Sequence, residues 1–178
     1  GKTIMTMEAK FVPSNAASIQ IEDFSANVRL VDCVGYVITG AKGYEDENGP
    51  RMVKTPWYDE QIPFVEAAEI GTNIVITTDG SIGEISRENY VEAEERIVSE
   101  LREIGKPFIM VLNSTHPTNT ETQNLSQNLT NTYGVPVIPI SVEDMAERDM
   151  YSILKSALYE FPVLEEKISM PDWIACLA

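Results

Sequence analysis

The sequence predicts an α/β fold, a mostly parallel sheet flanked by helices, and three observations carry that prediction. Apolar strand runs at Ile74–Thr78, Phe108–Leu112 and Val135–Ile140 are spaced too widely for hairpins. Amphipathic helical stripes fill the gaps between them, the alternation expected of a parallel sheet. Each run also ends in polar or turn-forming residues, so the strand ends collect on one edge.

The elements follow in order. Gly1-Lys2-Thr3 resembles the end of a phosphate-binding loop. No strand or first glycine precedes it, and no helical stripe follows, so it is rejected as a Walker A motif. The next residues read as an extended loop reaching Pro13, then a strand near Ser18–Glu22, a turn over Asp23–Asn27 and a strand over Val28–Asp32, paired as a hairpin. From Thr39 to Thr72, Gly40, Gly43, Gly49, Pro50, Pro56 and Pro63 interrupt any regular pattern, which predicts a long irregular loop with a short helix near Phe64–Ile70. Its acidic run Glu45-Asp46-Glu47-Asn48-Gly49 lacks the spacing and distal glutamate of a calcium loop and reads as a solvated turn.

After Ile74–Thr78, a helix is expected from about Arg87 to Ile104. Ser86 can cap it, Gly105 can end it, and Tyr90, Ala93, Ile97, Leu101 and Ile104 form its stripe. Glu92, Glu94, Glu95 and Glu100 are assigned to its solvated face. After Phe108–Leu112, Thr120-Glu121-Thr122-Gln123 has the form of a capping box for a helix carrying Leu125, Leu129 and Tyr133 and stopped by Gly134. A last helix is expected over Asp149–Tyr159, with Met150, Leu154, Ala157 and Phe161 inward. Residues 163–178 read as the start of a following, truncated segment.

Composition narrows the function classes. The chain has 178 residues, one domain's worth, with 13 basic against 28 acidic side chains and a net charge of −15. That balance excludes non-specific nucleic-acid or anionic-lipid binding, because no basic stripe offsets the repulsion. Cys33 and Cys176 form no metal-ligand spacing, and no apolar run approaches transmembrane length, which together lead to an expectation of a reduced, cytoplasmic setting. Three glycosylation-type sequons, beginning at Asn113, Asn124 and Asn128, carry no meaning without a secretory signal.

The chemistry gathers at the strand ends: Asp32 with Gly35, Thr77–Gly80, Asn113–His116 and Ser141. A strand running into Asp-x-x-Gly has the form of a Walker B element, in which the aspartate holds Mg²⁺ and the glycine amide meets the terminal phosphate. A turn aspartate bonding its own backbone satisfies the same four residues, and both readings stay open on the motif alone. Asn113 and Ser141 stand where a G-protein-like nucleotidase keeps its base-reading asparagine and Ser-Ala contact. Ser114 replaces the lysine of that motif. His116 occupies the place of the carboxylate that accepts guanine's hydrogen bonds, which leaves room for ATP. By itself His116 reads as a loop residue, since no neighbour in sequence completes a dyad. A receiver domain phosphorylated at Asp32 is disfavoured, because Lys106-Pro107 precedes a strand instead of following one.

Several runs together resemble a known family: Gly1–Thr6, Val28–Tyr36, Gly40–Arg51, Ile76–Gly80, Gly105–Asn113 and Ala157–Leu164. They are similar to the stage IV sporulation protein A family, spore-coat morphogenetic ATPases of endospore-forming bacteria. The resemblance implies a G-protein-derived P-loop ATPase domain over residues 1–162, with residues 1–13 as a switch I-like segment. It implies catalytic roles for Thr6, Asp32 and Gly35, metal ligation by Thr6 and Asp32, nucleotide contacts from Asn113, Ser114 and Ser141, and ATP and Mg²⁺ as cofactors. Met7 stands where the family usually has a second threonine. The family's first strand and Walker A loop would precede Gly1, and a further stretch would lie between Thr72 and Asn73, so this chain alone is expected not to bind ATP tightly. ATP hydrolysis would drive self-association into the basement layer of the coat, in the mother-cell cytoplasm at the forespore surface. A small amphipathic membrane peptide and other coat proteins would be its partners. The alternative is a scaffold module that keeps the fold without nucleotide turnover.

Overall fold

The computed structural model describes residues 10–22, 24–32, 38, 52–54, 61–63 and 72–160. Its centre is a parallel sheet of three strands in the order β5 (Asn73–Thr78), β6 (Phe108–Asn113) and β7 (Val137–Ile140). Helix α1 (Glu88–Ile104) joins β5 to β6, α2 (Thr120–Tyr133) joins β6 to β7, and α3 (Glu147–Tyr159) follows β7. Parallel neighbours need such crossovers, so the alternation read from the sequence is the alternation observed.

The middle strand is buried on both faces, as a parallel strand covered by helices must be. Phe108, Met110 and Leu112 pack with Val75, Val137, the α1 residues Ile97, Val98 and Leu101, and the α2 residues Leu129 and Tyr133. Ile109 and Val111 point the other way, into a smaller cluster with Ile140, Ile153 and Ala157. Truncating a fully buried side chain such as Leu112 to alanine would cost about 2–5 kcal/mol. Among the described strands β5 lies at one edge of this sheet and is less covered, with Ile76 65% exposed.

Helix ends follow the glycine signals but not the side-chain ones. Gly105 and Gly134 close α1 and α2 with φ of 70° and 63°, the left-handed conformation a glycine adopts without steric cost. The predicted Ser86 cap does not form; the Ser86 hydroxyl instead takes the Asn89 side-chain amide at 3.3 Å. The predicted capping box at Thr120 does not form either, because the helix begins one residue earlier than the box requires, with Asn119 as its extended N-cap residue. Helix α3 starts at Glu147, ahead of the predicted Asp149, whose carboxylate accepts the Ala146 N–H at 2.9 Å. Phe161 and the predicted helix near Phe64–Ile70 lie outside the described residues.

The amino-terminal hairpin is longer than predicted. Strand β1 spans Lys10–Ile21 and β2 spans Phe24–Asp32, antiparallel, with Ile21 opposite Phe24. Residues 24–27, expected in the turn, are therefore strand, and Glu22 at φ 50° supplies the left-handed geometry that a two-residue hairpin turn requires. Pro13 does not end the strand because the register shifts between Val12 and Ala17, a bulge that frees the proline from its ladder bond. The long loop expected over 39–72 also contains regular structure, a short antiparallel pair of β3 (Met52–Lys54) and β4 (Gln61–Pro63).

The hairpin tip rests on α3. Glu22 accepts bonds from the Lys155 ammonium and from the Tyr159 hydroxyl at 2.6 Å, and its backbone N–H donates to the Tyr151 hydroxyl at 3.1 Å. These donors, Lys155 first, hold the Glu22 carboxyl below its ordinary range. The Lys155 ammonium also lies 5.6 Å from the centre of the Tyr159 ring. No helix among the described residues is long and apolar enough to cross a membrane.

Candidate functional site

The three parallel strands end in register. Thr78 pairs with Asn113 and Asn113 with Ile140, so Asp79, Ser114 and Ser141 stand side by side just beyond the sheet. Open α/β sheets bind ligands outside this carboxyl edge. The ladder continues one step further: Asp79 N–H donates to the Asn113 carbonyl at 3.3 Å and Ser114 N–H to the Ile140 carbonyl at 2.9 Å.

Two loops on this edge are tied by Asn113. Its side-chain oxygen accepts the Val142 N–H at 2.9 Å, joining the β6 end to the segment after β7. Ser141 donates to Asp144 Oδ2 at 3.2 Å and accepts the Asp144 N–H at the same distance, which closes that segment into a compact turn. Ser114, assigned from sequence to nucleotide contact, is fully buried. Its hydroxyl accepts the His116 N–H at 2.9 Å and lies 3.4 Å from the Thr122 hydroxyl, so it is engaged inside the protein. Exposed on the rim are Thr115 and His116, joined to each other at 2.8 Å through Thr115 Oγ1 and His116 Nδ1.

Asp79 anchors this edge. Oδ1 accepts the Ser81 N–H at 2.9 Å and its hydroxyl at 2.5 Å, and Oδ2 accepts the Thr122 hydroxyl at 3.1 Å. Partial burial pushes its pKa up, but the hydroxyls of Ser114 and Ser81, the Ser81 amide and the Thr122 hydroxyl outweigh that push. The net pKa lies below the ordinary 3.8. Asp79 therefore stays ionised at neutral pH.

Beneath the edge lies a second carboxylate. Glu94 is 4% exposed and forms a two-pronged ion pair with Arg87 at 2.5 and 2.6 Å. The Thr77 hydroxyl also donates to it, and the Tyr133 hydroxyl lies 3.4 Å away. This overturns the assignment of Glu94 to the solvated face of α1. The signal was present: Glu94 lies three, four and seven residues before Ile97, Val98 and Leu101, so it shares their face. Counting only apolar residues concealed it. Burial, and then the negative charges of Glu94 and Glu95, push the Tyr133 phenol up to about 12. Gly80, which follows Asp79, lies against Arg87, and an added Cβ there would lie 2.8 Å from the Arg87 backbone nitrogen.

The other sequence-assigned residues are placed differently. Asp32 is the last residue of β2, opposite Lys10, in a two-stranded sheet of its own. Of the four strand ends expected on one edge, three stand together at the end of the described parallel sheet. The pairing of β2 with the preceding strand is the hairpin that the sequence predicts, since the adjacent partner needs only a short loop. Thr6 and Gly35 lie outside the described residues. Among the described residues no group of three or more His, Cys, Asp or Glu side chains is arranged to hold a metal. The carboxylate and hydroxyl put forward by the resemblance are hard oxygen donors of the type Mg²⁺ takes.

Comparison with known proteins places the chain. A family model for the ATPase domain of stage IV sporulation protein A matches residues 1–162. Stage IV sporulation protein A of Bacillus subtilis strain 168 is 57% identical over 188 residues, covering 99% of this chain and 38% of that protein. The Bacillus anthracis protein is 56% identical with the same coverage, and that of Clostridioides difficile strain 630 is 45% identical over 98% of this chain. The chain spans 38% of the length of each of these relatives. With a domain match over most of its length and relatives of this identity, the chain belongs to the stage IV sporulation protein A family, within its ATPase domain.

Proposed function

We propose that the protein containing this chain hydrolyses ATP, and that the turnover drives its self-assembly into a coat layer at the forespore surface, on the mother-cell side. The match of residues 1–162 to an ATPase domain carries this reading, and the polar carboxyl edge of the parallel sheet is consistent with it. A small amphipathic membrane peptide and other coat proteins are the proposed partners.

In this reading Asp32 and Thr6 hold Mg²⁺, which when bound would neutralise charge on the phosphates. The Gly35 amide meets the terminal phosphate. Asn113 and Ser141 frame the base: Asn113 fixes the relative position of the two loops through Val142, and Ser141 shapes the second. His116 supplies no carboxylate for the two hydrogen-bond donors of guanine, and this favours adenine. Hydrolysis then rests on positioning and electrostatics, with little covalent chemistry for side chains to perform.

The test is ATP turnover by the full-length protein, wild type against Asp32→Asn. Loss of turnover on a folded background is the expected result, and equal rates would remove Asp32 from the mechanism. Assembly followed by light scattering with and without ATP separates the hydrolytic reading from that of a passive scaffold, which would assemble equally in both.

A further inference from the structure

We infer that Asp79 is a positioning residue for the loop 113–119, which in the ATP-binding reading flanks the base, and that it helps to set nucleotide affinity and base selection. The inference rests on that reading and adds a residue to it.

The geometry builds outward from one carboxylate. Asp79 Oδ1 accepts a hydrogen bond from the Ser81 hydroxyl at 2.5 Å, which leaves the lone pairs of Ser81 Oγ to accept the Thr115 N–H at 2.9 Å. Asp79 Oδ2 takes the Thr122 hydroxyl at 3.1 Å, at the first turn of α2. The Thr122 oxygen lies 3.4 Å from that of Ser114, which accepts the His116 N–H. Both routes from Asp79 therefore end on consecutive amides of the loop, Thr115 through Ser81 and His116 through Ser114.

Ser81, Ser114 and Thr122 each have one proton, and an ionised carboxylate can only accept. Its presence fixes the direction in which the Ser81 and Thr122 hydroxyls donate, and so which lone pairs face the loop amides. Ser114 and Thr122 are 0% and 5% exposed, so water does not readily replace a lost partner there. Thr115 and His116 are the exposed side chains that this bracing leaves at the rim. Asp79 itself is committed to the hydroxyls of Ser81, Ser114 and Thr122, and therefore acts through the loop and not on the nucleotide.

The test is made on the full-length protein with ATP and GTP as substrates and competitors. Asp79→Ala is expected to raise the KM for ATP on the order of tenfold while leaving kcat within about twofold. That is less than the roughly hundredfold that ~1 Å of misplacement can cost. It is also expected to narrow the ATP-to-GTP preference. Asp79→Asn, which keeps an acceptor for Ser81, should recover part of the KM effect. A folded Asp79→Ala protein with unchanged KM and selectivity overturns the inference, as does a fall in kcat at unchanged KM. If Asp79→Ala does not fold, Thr122→Val and Ser81→Ala take its place: a raised KM in both supports the inference, and an unchanged KM in both overturns it. A wild-type protein that binds neither nucleotide brings down the ATP reading itself. Wild-type binding with an indifferent Asp79→Ala variant removes only the role of Asp79.

Discussion

Asp79 and Glu94 are both held by hydrogen bonds at or beside β5, yet they are built for different ends. Glu94 is in the core, faces a guanidinium, and is closed off from water. Asp79 is at the sheet edge, and its hydrogen-bond partners are hydroxyls and an amide. A buried carboxylate facing a cation is an all-or-nothing arrangement, since removing either partner strands the other charge. A carboxylate held by neutral donors keeps its charge while ordering the loops around it. The first arrangement serves the fold and the second orders the carboxyl edge of the sheet, where open α/β sheets bind ligands.

The most severe way to break this contrast is Glu94→Ala, which leaves Arg87 unpaired and the Thr77 and Tyr133 hydroxyls without their acceptor. A loss of about 3 kcal/mol is expected in urea unfolding, the lower end for a broken buried pair because Arg87 is 16% exposed. The corresponding change at the edge, Asp79→Ala, should cost clearly less stability. If the two losses are equal, the division between core and edge is wrong.

Next in size is Gly80→Ala, at the joint between the networks. Its φ of 87° and the 2.8 Å approach to Arg87 N together predict a loss of about 2 kcal/mol, read from the same unfolding curves. Glu94→Gln is gentler: it keeps the shape and one acceptor oxygen but removes the charge. The Tyr133 phenol, raised to about 12 by burial and then by Glu94, should titrate closer to 10 in ultraviolet absorbance. With the phenol raised in the folded state, its contribution to stability is complete below pH 10 and is lost as the pH rises through about 12.

The smallest effect is expected on the acid side. The Asp79 pKa is lowered on folding, so its contribution is present above the ordinary 3.8 and is lost as the pH falls through the depressed folded value. Unfolding followed as the pH falls from 3.8 towards that value should show a shallower acid decline in Asp79→Asn than in wild type. An identical decline would mean that the edge hydroxyls do not favour the charged form.

What could be read from the sequence follows the same physical division. Features set by local periodicity or by a glycine's freedom were legible: the β5 and β6 runs, the Leu129–Tyr133 stripe, and the helix stops at Gly105 and Gly134. The extent of β1 was not, because Pro13 reads as a breaker unless the bulge beside it is known. Strands of three residues such as β3 and β4 are too short for an alternation to register. At the candidate site, a motif pointed to Asn113 and Ser141, which the structure puts at the carboxyl edge of the sheet. Asp79 was noted only as part of a strand end, because its role depends on Ser81, Thr115 and Thr122, which tertiary structure alone brings to it.

The contact between the hairpin tip and α3 also has a kinetic meaning. Ile21 and Phe24 pair across a two-residue turn, so β1 and β2 can zip together early and locally. The bond from Glu22 to Tyr151 joins residues 129 apart, and no comparable shortcut brings them together. Until the crossovers through α1 and α2 have set β5, β6 and β7 side by side, α3 offers Glu22 no fixed surface. The first segment to take shape should thus be among the last to find its seat, and refolding of Glu22→Ala should begin as fast as that of the parent and differ only at the end.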